Sequence, residues 1–152
     1  MKIPRITLLA ALAAAAACST TLVYAQAVGI TPDELKFARN PATGSELAPV
    51  FGDGRKPGPF IVRVRYPAGH KSMPHSHPAD THITVISGTM RYAEGSTFDE
   101  TKFKDYPAGS FLVVPANVPH YEMANSPMEF QVHGTGPQAF IFVDPKHDPR
   151  NR

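Results

Sequence analysis

The chain has 152 residues, with 15 Lys and Arg against 13 Asp and Glu, a formal charge of +2, and one cysteine. Lys2 and Arg5 stand at the front of an apolar N-terminal stretch, and without them the basic count falls to 13 and the formal charge to 0. A neutral domain of about 125 residues with no lysine or arginine cluster carries no electrostatic footprint for nucleic acid or an anionic membrane, and its expected partner is a small molecule.

Taken from the start, Met1-Lys2 and Arg5 lead into an Ala- and Leu-rich run from Ile6 to Cys18, which reaches Val23-Tyr24-Ala25 before Gln26. That is the three-part plan of a secretory signal peptide over residues 1–25, and the run is shorter than the roughly 20 residues of a spanning helix. Cleavage after Ala25 would give a periplasmic or secreted protein with no membrane attachment. Acylation of Cys18, which follows Ala15-Ala16-Ala17, is the alternative lipoprotein reading. Cleavage after Ala25 would also remove the sole cysteine, and with it disulfides, thiolate ligands and cysteine nucleophiles, leaving imidazole and carboxylate chemistry.

Residues 26–58 read as an N-terminal arm. Thr31-Pro32-Asp33-Glu34 supplies an N-cap, a proline at the first helical position and a capping-box glutamate, so a short helix is expected there. A short strand is expected near Val50-Phe51, and Gly52-Asp53-Gly54 is a turn. From Phe60 the period becomes two, with Phe60, Val62, Val64 and Tyr66 on one face and Ile61, Arg63 and Arg65 on the other. Further β-type runs occupy His82–Ser87, Met90–Tyr92, Phe111–Val114, Glu129–His133 and Phe140–Val143, separated by Gly, Pro, Asn and Asp. Many short strands with turn signals predict an all-β sandwich or barrel over residues 59–144. The segment from Glu94 to Asp105 reads as an exposed connection with solvated charges, and residues 145–152 as a frayed tail in which His147 is inert.

Four of the seven histidines fall between Gly69 and Gly88. In an extended segment, residues two apart point the same way, so His75 and His77 can present both imidazoles to one point while a third ligand comes from elsewhere. The stretch Gly69, His75-Ser76-His77, Gly88 resembles the first motif of the cupin superfamily, and Gly109, Pro115 and His120 resemble the second. This resemblance implies a single double-stranded β-helix (cupin or jelly-roll) barrel with a short N-terminal helix and arm, a mononuclear divalent metal held by His75, His77 and His120, and a homodimer.

Two departures stand out. Thr81 occupies the position of the family's metal-binding glutamate, where it is a weak neutral ligand, and His82 is adjacent, although a one-residue shift in a strand turns a side chain to the opposite face unless a bulge intervenes. In the second motif Asn117 replaces a glycine, and Ala124 an asparagine. Three neutral imidazoles suit Fe²⁺ or Zn²⁺, with Ni²⁺, Cu²⁺ or Mn²⁺ as alternatives. Gln131 and His133 share one strand face and, if that face looks inward, contact substrate and move a proton respectively; Tyr66 and Tyr121 are candidate hydroxyl donors to substrate, and His70 a loop residue near the mouth. Ile83, Val85, Phe111, Val113, Tyr121, Met123, Phe140 and Phe142 are available to line or close the barrel. The expected function is a metal-dependent, dioxygenase-type oxidoreductase acting on a small organic molecule. The alternatives are a zinc- or nickel-dependent hydrolase, lyase or isomerase, and a non-catalytic module that binds a small ligand or metal.

Overall fold

The computed structural model describes residues 26–40 and 43–151. The expected leader, with Cys18, lies outside them. Eleven strands follow in chain order: β1 (Ala38–Arg39), β2 (Glu46–Phe51), β3 (Gly58–Tyr66), β4 (His70–Ser76), β5 (Thr81–Ser87), β6 (Thr89–Glu94), β7 (Lys104–Pro107), β8 (Phe111–Val114), β9 (His120–Ala124), β10 (Met128–Gly136) and β11 (Ile141–Phe142). They form two antiparallel sheets, one in the order β1-β2-β3-β10-β5-β8 and the other β11-β4-β9-β6-β7. All-β and two-layered, this is the double-stranded β-helix architecture.

The alternation along β3 explains its place at the centre of the larger sheet. Phe60, Val64 and Tyr66 are buried. On β10, paired with β3 so that Phe130 faces Val64 and Val132 faces Val62, the apolar residues point the same way. Ile83 and Val85 of β5 and Leu112 and Val114 of β8 extend this inner face, and Met90 and Tyr92 of β6 meet it from the smaller sheet. Fully burying side chains of this size stabilises the fold by about 1.5–3 kcal/mol each.

The opposite face of the large sheet carries a charged cluster where β3 and β10 pair. Arg63 Nη1 lies 2.6 Å from Glu129 Oε1, and Arg65 Nε lies 2.8 Å from Glu129 Oε2. Arg63 and Glu129 side chains are only 18% and 16% exposed, so each needs the other. Glu129→Ala is therefore expected to cost about 2 kcal/mol, because it strands a half-buried guanidinium. The check is the urea midpoint at unchanged slope; an unmoved midpoint would mean that water serves Arg63 equally well.

Several expectations change here. The first turn of the arm is a 3₁₀ turn at Pro32–Glu34 rather than an α-helix; its capping box is present, with the Thr31 N–H donating to Glu34 Oε2 at 2.7 Å. The arm also contributes β2 to the large sheet, where Leu47 pairs with Val64. The connection after Glu94 is not a bare loop. Phe98 and Phe103 pack on Tyr121 at ring distances of 5.1 and 5.2 Å, roofing the outer face of the smaller sheet, and Lys71 Nζ reaches Glu100 Oε1 at 2.6 Å. The tail folds into two 3₁₀ turns, Pro145–His147 and Pro149–Asn151, tied down by Arg150 Nη2 donating to the Phe140 carbonyl at 3.1 Å. Phe111 and Val113, expected to line the barrel, are 58% and 53% exposed. Edge strand β8 has apolar residues on both faces, and Leu112 and Val114 take the inner one.

Candidate metal centre

β4 and β9 lie side by side, and after a bulge their register sets His75 directly opposite His120. His77 follows β4, just past its last residue. The ligand atoms of the three imidazoles all fall within 4.8 Å of one another. Each ring is oriented through Nδ1: His75 Nδ1 is 2.8 Å from the Met73 carbonyl, His77 Nδ1 2.9 Å from the Ala139 carbonyl, and His120 Nδ1 2.9 Å from the Val118 carbonyl. A carbonyl only accepts, so Nδ1 carries the proton and Nε2 keeps its lone pair. This is the tautomer that binds a metal, with its outer partner in place.

Two of the three lone pairs are buried and make no hydrogen bond. His75 Nε2 and His120 Nε2 are buried without a hydrogen-bond partner among the described residues. Both residues are about 1% exposed. Burial pushes the His75 imidazole down to about 4, and burial likewise lowers His77. Convergent imidazoles held through Nδ1, with the buried Nε2 of His75 and His120 left unpartnered, are the donor set that an ion such as Zn²⁺ or Fe²⁺ requires. The residues present fit a divalent metal.

The second motif's turn supports this arrangement. Asn117 sits at φ 63°, in the left-handed region that asparagine tolerates better than most non-glycine residues. In that conformation its N–H donates to the His77 carbonyl at 2.8 Å. Asparagine thus does here what the glycine of the motif does, and the motif's departure leaves the turn intact.

Beside the imidazoles runs a cavity of about 870 Å³, walled by apolar residues such as Val62, Ile83, Phe130, Val132 and Phe140, with His77, Thr81 and Glu122 also facing it. Phe140 stacks on His75 at 4.5 Å and stands edge-on to His77 at 4.7 Å, covering both rings. Tyr66 is on the cavity wall, stacked on His70 at 3.7 Å. His70 is buried rather than a loop residue at the mouth.

Strand phase separates the other candidates. Thr81 points inward, buried, and its Oγ1 has no hydrogen-bond partner among the described residues. His82, one residue on, points outward to the large sheet's far face, with its ring 6.1 Å from exposed Phe111. No bulge brings it back, so His82 is not a ligand. His133 and Gln131 are on that same outer face. Gln131 Nε2 donates to His133 Nε2 at 2.9 Å, and Arg63 donates to Gln131 Oε1 at 3.1 Å. The roles expected of them at the metal are withdrawn: the apolar Phe130 and Val132 take the inner face of β10 because burying the polar pair instead would cost more. Tyr121 is not at the cavity either. It packs under Phe98 and Phe103, its hydroxyl donating to the Asp99 carbonyl at 3.2 Å, on the side of β9 away from the cavity.

Glu122 is the residue that the sequence reading missed. It is 5% exposed, and its Oε1 lies 3.5 Å from His120 Nε2. Burial works to raise this carboxyl and the neighbouring imidazoles to lower it, and the net effect holds it below its ordinary value. The signal was the His120-Tyr121-Glu122 alternation, which becomes readable once His120 fixes the phase of an otherwise unremarked strand.

The profile described as the ChrR cupin-like domain matches residues 25–139. No curated protein matches the sequence. Among solved structures, the chain is similar to the polyketide cyclase RemF from Streptomyces resistomycificus, at 17% identity and a TM-score of 0.66 over 82% of this chain and 90% of that one. It is similar to an acetylacetone dioxygenase from Acinetobacter johnsonii at 17% identity and a TM-score of 0.62, over 86% of each chain. KdgF from Halomonas sp. gives 19% identity and a TM-score of 0.54 over 70% of this chain and 93% of that one. Likeness at such identities establishes the fold and leaves the chemistry to the site. Since the profile runs through both histidine-bearing segments and spans most of the sequence, the chain belongs to the ChrR cupin-like domain family, within the cupin superfamily.

Proposed function

We propose that the protein is a mononuclear metal-dependent oxidoreductase of the dioxygenase type, acting on a compact, largely apolar organic molecule. The observation that carries this reading is the set of three convergent imidazoles with Nδ1 held, two of them with a buried and unpartnered Nε2, set beside a cavity of about 870 Å³ with mainly apolar walls. Pockets of this size and lining suit small organic ligands. Two of the solved structures with this fold are named as an acetylacetone dioxygenase and a polyketide cyclase.

When bound, a divalent ion supplies Lewis-acid chemistry, and iron adds electron transfer toward dioxygen. The chain's own residues supply the rest. His77 presents its ring at the cavity wall, Phe140 covers the imidazoles, and Val62, Val132 and Phe130 exclude water from the space where a substrate would lie. A dioxygenase places both atoms of O₂ in the organic product, with the substrate as the electron source, so no separate reductant is consumed.

The experiment is oxygen uptake by iron-loaded protein over a panel of small carbonyl and phenolic compounds. Uptake equimolar with product supports the reading. Turnover that needs no oxygen and persists with Zn²⁺ or Ni²⁺ would replace it with the lyase or isomerase reading, and tight ligand binding without turnover with the binding-module reading. Val132→Phe tests the cavity separately. Filling it from β10 is expected to weaken binding of an apolar ligand by about tenfold or more, with metal content unchanged; unchanged ligand affinity would place the ligand elsewhere.

A further inference from the structure

The first-motif strand has no carboxylate to offer the metal: Thr81 stands inward and buried at the position that glutamate occupies in the motif. The second-motif strand has one. Glu122 follows His120 by two residues on β9, so the strand sends both side chains to the same face. Two donors bound to one ion at about 2.1 Å each lie about 3–4 Å apart. His120 Nε2 and Glu122 Oε1, at 3.5 Å, have that spacing.

The contact is not satisfied as an internal ion pair. His120 Nε2 makes no hydrogen bond, and Glu122 Oε2 is buried without a partner among the described residues. Among those residues no lysine or arginine pairs with Glu122; Ser72 reaches it with one side-chain hydrogen bond, and its chargeable neighbours are the three imidazoles, His70, Tyr66 and Tyr92, none of them a fixed cation. A buried carboxylate left in that state costs several kcal/mol. The carboxylate stands beside the cluster of three imidazoles rather than within its 4.8 Å span, next to His120, and a cation held there that draws the side chain in removes the deficit.

We propose that Glu122 is the anionic fourth ligand of the ion held by His75, His77 and His120, with the carboxylate transferred from the first-motif strand to the second and Thr81 marking the vacated position. This rests on the metal-centre reading above. It lowers the net charge of the occupied centre from +2 to about +1, and an N₃O donor set is well served by Fe²⁺, Zn²⁺ or Mn²⁺.

The test compares wild type, Glu122→Gln and His120→Ala, each stripped of metal and titrated with Zn²⁺ and Mn²⁺ against a competing chelator, with melting curves of the metal-free and loaded forms. Glu122→Gln is expected to lose 10- to 100-fold in affinity and to show a smaller metal-induced rise in Tm, while its metal-free Tm stays at or above that of wild type. A merely structural glutamate would do the reverse, lowering the metal-free Tm and leaving affinity alone. A second measurement needs no variant: infrared difference spectra of ¹³C-glutamate-labelled wild type, metal-free against Zn²⁺-loaded, should show a glutamate carboxylate band shifting. Unchanged affinity in Glu122→Gln alongside loss in His120→Ala, or an unshifted carboxylate band, overturns the proposal and leaves the three-histidine centre standing. A wild type that binds neither ion overturns both.

Discussion

Protein carrying His120→Ala is expected to bind divalent metal more than about 100-fold more weakly than wild type, a loss of more than about 2.7 kcal/mol. Groups that merely orient a ligand typically account for 10- to 100-fold in affinity, and His120 is placed to donate a lone pair directly. Its position, opposite His75 across β4 and β9, makes it the bridge between the two motifs. Without it, His75 and His77 remain as a pair from one segment. The controls are His82→Ala and His133→Ala, which remove imidazoles from the outer face of the large sheet and should leave affinity within about twofold of wild type. Elemental analysis after dialysis, backed by chelator competition and a circular dichroism check of the fold, reads the result. Metal retained by His120→Ala, or lost by either control, would dismantle the ligand set.

A second large effect is expected at the motif glycines, and it should differ sharply between two of them. Gly88 turns β5 into β6 at φ 74°, and a Cβ there would stand 2.6 Å from the Pro127 carbonyl oxygen and 2.8 Å from Met128 Cβ. Gly69 has a similar φ of 77°, but a Cβ there would meet nothing within 4 Å. Gly69→Ala therefore bears only the left-handed backbone cost, about 1–2 kcal/mol. Gly88→Ala adds a collision with backbone that cannot swing aside, bringing its cost to about 3–4 kcal/mol. That is on the order of 10 °C in Tm for a domain of this size. Equal shifts for the two variants would show that the loop after Ala124 yields freely and that the close approach at Gly88 is not binding.

How much of this could be read from the sequence depended on whether a strand's phase was anchored. In β3 the alternation of Phe60, Val64 and Tyr66 with arginines settled both the strand and its inner face. Spacing alone brought His75 and His77 to one point, and the resemblance of the second motif supplied His120. Phase failed where neither face is plainly apolar or plainly polar. β8 carries Phe111 and Val113 on one side and Leu112 and Val114 on the other, and only its pairing at the edge of the large sheet decides between them. β9 reads His-Tyr-Glu-Met-Ala, a mixture that gives no β signal, so the sequence alone neither marks Glu122 as inward nor shows that Tyr121 faces away from the cavity. On β10 the polar pair Gln131 and His133 offers a reacting face by residue type, but the neighbouring Phe130 and Val132 have the stronger claim on the interior.

The three carbonyls that hold the imidazoles differ in their distance along the chain. His75 and His120 lean on residues two positions earlier, Met73 and Val118, whereas His77 leans on Ala139, 62 residues further on. Two of the three rings are therefore set by their own local backbone, while the third depends on a segment that must first dock beside β4. Local turns and long-range closure thus meet at one point, and the triad is geometrically complete only where the Ala139 segment is in place.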